Sequence, residues 1–96
     1  DFYLAQFVFW STTILAGAAN QRVVIAWCLV GTTGREASLE EFDGVDVVTS
    51  ILDAWVLTGG VWTLERPLIL TAGNSFRLTT GATAGTVWVS SIVYRR

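Results

Sequence analysis

The 96 residues are 52% hydrophobic and 15% charged, with six arginines against eight acidic residues, no histidine, no lysine, one cysteine and a net charge of −2. So thin a charge disfavours nucleic-acid binding, which needs clustered Lys or Arg to neutralise phosphates, and the missing histidine excludes Ser-His-Asp and Cys-His catalysis. Cys28 alone forms no internal disulfide, and no run approaches the roughly 18 apolar residues of a membrane helix, so no membrane partner is expected.

The length predicts a single domain, residues 1–96, small enough that much of its surface stays in water. The hydrophobic set already exceeds the average of about 45–50% that includes glycine, and here nine glycines stand outside it. Part of that excess is expected to lie between subunits, since obligate interfaces resemble a domain core cut in half.

Apolar residues recur at period two or in short runs, and glycine-containing breaks fall every eight to twelve residues. This predicts an all-β, antiparallel β-sandwich, jelly-roll-like, of seven to eight strands. Strands are expected at 2–10, 22–31, 36–42, 46–57, 61–70, 74–80 and 86–94. The first contains "DFYLAQFVFW", in which Phe2, Tyr3, Leu4, Phe7, Val8, Phe9 and Trp10 are all large and apolar. It reads as one long strand whose two faces both need cover. It lacks the basic region and the small-residue cleavage site of a signal peptide.

In "VVIAWCLV", strict alternation puts Val23, Ile25, Trp27 and Leu29 on one face and Val24, Ala26, Cys28 and Val30 on the other. Neither face is polar, so the strand is expected at the centre of its sheet, with its outer face covered by another element or another chain. "ASLEEF" lies on a predicted strand but also holds the best helical turn, with Ser38 as cap and Glu41 completing a capping box. The acidic group Glu40, Glu41, Asp43 and Asp46 reads as a solvated loop, because its spacing does not fit a calcium-binding EF-hand.

Pro67 cannot donate to a sheet ladder and predicts a bend. In "TVWVSSIVYRR", Val87, Val89, Ser91 and Val93 share one face, while the other, Trp88, Ser90, Ile92 and Tyr94, is mixed. The five tryptophans at 10, 27, 55, 62 and 88 all fall within strand patterns. Trp is highly buried on average, so core or intersubunit packing is expected of most of them; exposed, they would stack on sugars or anchor an interface.

Pro67, Leu68, Leu70, Ala72, Gly73, Phe76 and Leu78 in "ERPLILTAGNSFRLTT", with Val87, Val89, Ser91 and Tyr94 in the closing strand, follow one pattern. An apolar strand end, a tight turn and two alternating strands succeed one another. In these residues the chain resembles small β-sandwich structural proteins of tailed bacteriophages. Asn74 departs from the Asp common at that turn, though either residue can bond its own backbone there. The resemblance implies a virion location and a structural role, as a head decoration (cement) protein or a neck or tail component, often in cyclic oligomers.

The expectation is therefore a non-enzymatic capsid decoration protein that stabilises the shell through apolar intersubunit contacts. Its partners would be itself, in a homo-oligomer such as a trimer, and other virion proteins such as the major capsid protein. No catalytic residue, cofactor or metal is expected. Phe2, Tyr3, Phe7, Phe9 and Trp10, with Trp55 and Trp62 behind them, are the expected interface residues. The alternative is a carbohydrate- or host-receptor-binding module on the same sandwich.

Overall fold

The computed structural model describes residues 2–7, 11–52, 60–82 and 84–96, with 2–7 and 11 described through their backbone. The strands are β1 (Phe2–Phe7), β2 (Ser11–Leu15), β3 (Val23–Thr32), β4 (Ala37–Phe42), β5 (Val47–Leu52), β6 (Gly60–Thr63), β7 (Leu68–Ile69), β8 (Ser75–Thr80) and β9 (Val87–Arg95). They form two antiparallel sheets, β1-β9-β3-β6 and β2-β8-β4-β5, with the two-residue β7 added to β3.

The pairing is nested: β1 lies with β9, β2 with β8, β3 with β6 and β4 with β5, successive pairs alternating between the sheets. One long hairpin rolled up on itself gives that order, which is the eight-stranded jelly roll. The expected all-β sandwich is thus the observed fold, and no helix occurs among the described residues.

Local differences from the expected elements have physical causes. Ser11–Leu15 falls between the expected strands 2–10 and 22–31. Its β-branched Thr12, Thr13 and Ile14 suit a pleated surface, and the segment pairs with β8 as β2. A register shift between Thr13 and Leu15 adds a residue at Ile14, which is buried, with Leu15 packed beside it on the core. "ASLEEF" is a strand and not a helical turn, since β8 and β5 hydrogen-bond to β4 on either side and satisfy its backbone. The expected strand at 61–70 is two pieces, β6 and β7, broken by a bend next to an exposed Pro67.

The strict alternation expected for β3 also needs correction. Its register against β9 shifts between Ile25 and Trp27, leaving Ala26 as the extra residue. Val23 and Ile25 point inward before this bulge, and Cys28 and Val30 point inward after it, all fully buried. Trp27 is thereby turned away from the face of Val23 and Ile25. β3 is nonetheless central, as expected, between β9 and β6.

Between the sheets, β3 and the inward Val87, Val89 and Val93 of β9 meet Leu39 of β4 and Phe76 and Leu78 of β8. Cys28 and Ser91 lie opposite one another in this core, both with no exposed surface, and the Ser91 hydroxyl has no hydrogen-bond partner among the described residues. Burial pushes the Cys28 thiol up from 9.0 to about 12. The thiolate is the reactive form, so native Cys28 is expected to resist a thiol reagent at pH 8 and to react at once in urea; rapid native labelling would contradict the packing. The folded state keeps this proton at pH values where the unfolded chain loses it. Stability therefore falls as pH rises above about 9.

Candidate interaction surface

Residues directly opposite on neighbouring strands share a face of their sheet, so the register defines the outer surface of each layer. On the β2-β8-β4-β5 sheet the outward positions include Thr13, Ser38, Glu40, Phe42, Ser75, Arg77 and Thr79, with Val47 and Ser50 of β5 beside Phe42 and Glu40. The Arg77 Nε donates to Glu40 Oε1 at 2.7 Å and the Thr79 hydroxyl donates to the same oxygen at 2.6 Å. The Arg77 guanidinium also sits 3.7 Å from the centre of the Phe42 ring. At the centre of this face the Arg77 and Glu40 charges and the Thr79 hydroxyl are paired with one another and the Phe42 ring is covered by a cation, while β5 and the β4–β5 turn at its edge expose Val45, Val47 and Val48.

The outward positions of the β1-β9-β3-β6 sheet are of another kind. Gly31 lies between Trp88 and Val61, Leu29 between Ser90 and Thr63, Trp27 beside Ile92, and Val24 between Tyr94 and Ile69. No charged residue occupies any of these positions. Val61 is 59% exposed, Ile69 48%, Ile92 42% and Tyr94 39%, while Trp27, Leu29 and Trp88 are half-buried. The Trp88 indole lies over Gly31, where a Cβ would occupy the ring's own space. Glycine at 31 therefore lets the indole lie against the sheet, and the aromatic ring in turn covers backbone that glycine leaves bare.

Of the expected interface residues, Phe2, Tyr3 and Phe7 lie in β1, at the end of this sheet, opposite Ile92, Ser91 and Val87. Trp62 lies opposite Val30 and packs, half-buried, against the core. Phe9, Trp10 and Trp55 lie outside the described residues. Among residues whose side chains are described, the exposed apolar surface of this sheet is made by Val61, Ile69, Ile92 and Tyr94 with Trp27, Leu29 and Trp88, and Phe2 registers opposite Ile92. The signal for it was the two-faced hydrophobicity of β3, together with the second face of β9.

The acidic residues near the β4–β5 hairpin do not converge. Glu40 points outward to Arg77, whereas the adjacent Glu41 is buried and its Oε2 accepts from the Thr71 N–H at 2.9 Å and from Asn74 Nδ2 at 2.7 Å. This pairing accounts for asparagine at 74, because an aspartate there would set a second carboxylate against Glu41. At the hairpin tip, Asp43 Oδ1 accepts the N–H groups of Asp46 at 2.7 Å and Val45 at 2.8 Å, which hold its carboxyl below the usual carboxylate range. Gly44, at φ 104°, supplies the left-handed residue of this turn. Among the described residues no three His, Cys, Asp or Glu side chains are grouped to hold a metal ion.

No protein-family model and no curated protein matches the chain. Among the described residues no helix is long and apolar enough to cross a membrane.

Proposed function

We propose that the protein is a non-enzymatic structural component of a bacteriophage particle, a capsid decoration (cement) protein that buries apolar surface at assembly contacts. The observation that carries this reading is the outer face of the β1-β9-β3-β6 sheet, apolar and aromatic with no charge at the described positions of β9, β3, β6 and β7, against the paired charges that β8 and β4 place at the centre of the other sheet. Exposed apolar patches larger than a few hundred Å2 mark interaction sites on soluble proteins. Fully burying a side chain such as Val, Ile or Leu contributes about 1.5–3 kcal/mol, so a handful of contacts repeated by symmetry stabilises a shell without any chemistry. The jelly roll is an architecture of viral capsid domains, and the resemblance to small phage β-sandwich proteins points the same way.

Quantitative proteomics of purified particles tests this. Hundreds of copies per particle are expected for a capsid lattice, a dozen or so would move the protein to the neck or tail, and absence from the particle would refute the reading.

A second reading has its own observation. Trp27, Trp88 and Tyr94 lie on one sheet face, and aromatic rings on such a face can stack on sugars, as the lectin use of this architecture illustrates. On the structural reading, intrinsic tryptophan fluorescence is expected to be unchanged across a broad panel of oligosaccharides. A saturable response to one of them would favour the carbohydrate-binding alternative.

A further inference from the structure

The outer face of the β1-β9-β3-β6 sheet is unpartnered among the described residues, and its make-up restricts what can cover it. It presents Val61, Ile69, Ile92 and Tyr94 with the half-buried Trp27 and Trp88, its polar positions being Ser90, Thr63 and, in register opposite Trp88, Gln6. A face without charge gains no ion pair from a basic or acidic partner. It is also a face that can meet its own copy without setting like charges together, although each chain carries a net charge of −2. A two-fold contact of this kind uses the same patch on both subunits and so requires such self-compatibility.

Size agrees with this. The molecule measures 38 × 24 × 19 Å, so its broad face offers at most about 900 Å2, against about 800 Å2 per partner in a standard stable interface. Stacked sheets pack about 10 Å apart with their strands within about 30° of one another, a geometry that a flat aromatic and β-branched surface accepts.

Resting on the assembly role proposed above, we infer that this face is covered by the same face of a second copy of the chain, giving a two-fold, four-layered dimer. The occupant is thus a sister subunit and not the shell surface, and the expected symmetry is two-fold rather than the three-fold of a trimer.

Sedimentation equilibrium of the full chain through the micromolar range tests the inference. Wild-type protein is expected to be a dimer. Val61→Glu and Ile92→Glu each place a charge in the contact twice by symmetry and are expected to weaken it by about a hundredfold or more. Val61 is so exposed in the single chain that its variant should keep the wild-type far-UV circular dichroism. Thr13→Glu, on the polar sheet and opposite Arg77, should leave the dimer intact. A wild-type monomer throughout this range would overturn the inference, as would any oligomer that survives both charged variants. A monomer that binds phosphatidylcholine vesicles or a glycan would overturn it too, identifying a different occupant. A monomer that is nonetheless abundant in particles would leave the assembly role standing while the dimer fails.

Discussion

Phe76→Ala is expected to cost about 3–5 kcal/mol, the usual range for deleting a buried aromatic ring. Phe76 is the largest fully buried side chain among the described residues, and it sits where the inner face of β8 meets both neighbouring strands, opposite Glu41 of β4 and Leu15 of β2. Its surroundings are hydrogen-bonded strands on both sides, so the backbone cannot collapse readily into the vacated space. A domain of this size has about 5–15 kcal/mol in total, and the variant should therefore unfold at a much lower urea concentration with an unchanged slope. A loss below about 1 kcal/mol would mean that the site repacks, and that the jelly-roll core is looser than its burial indicates.

Glu41→Ala is expected to have the next largest effect, on the order of 3 kcal/mol, because it removes two hydrogen bonds to a buried charged group, and such bonds contribute more than neutral ones. The carboxylate of Glu41 ties the turn at 71–74 to β4, and the truncation leaves both the Thr71 N–H and the Asn74 amide without their acceptor. Glu41→Gln retains an oxygen at the same reach and should cost about half as much. Urea unfolding measures both, and amide exchange at Thr71 should accelerate in the alanine variant well before global unfolding. Equal stability of Glu41→Ala and wild type would show that this carboxylate does not hold the turn.

The period-two pattern and the spacing of glycine breaks were sufficient to predict an antiparallel sandwich, and the inward set of β9, Val87, Val89, Ser91 and Val93, was readable residue by residue. The bulges were not. At Ala26 and Ile14, and in the pairing of β4 with β5, the register shifts, and in the all-apolar run around Ala26 nothing marks where the shift occurs, since either register looks equally buried. That is why Trp27 was assigned to the face of Val23 and Ile25. β2 was not among the expected strands: Ser11–Leu15 is short and partly polar, and its strand character rests on pairing with β8.

The candidate interaction surface was partly legible. The two-faced hydrophobicity of β3 correctly announced a central strand, and the excess of apolar residues called for cover beyond a single small core. Which residues provide the surface depended on register: Val61, Ile69, Ile92 and Tyr94 are far apart in sequence and become neighbours only through their pairing with β3 or its partner β9. Trp62, by contrast, is one residue from Val61 and turns toward the core.

Hydroxyl-radical footprinting of the protein in assembled particles, compared with the folded Val61→Glu protein free in solution, tests the central claim that the apolar sheet face is the working surface. Labelling of Trp88, Ile92 and Tyr94 should fall severalfold in the particle, while Phe42 on the polar sheet labels alike in both. Equal labelling of Trp88, Ile92 and Tyr94 in the two states would contradict the account.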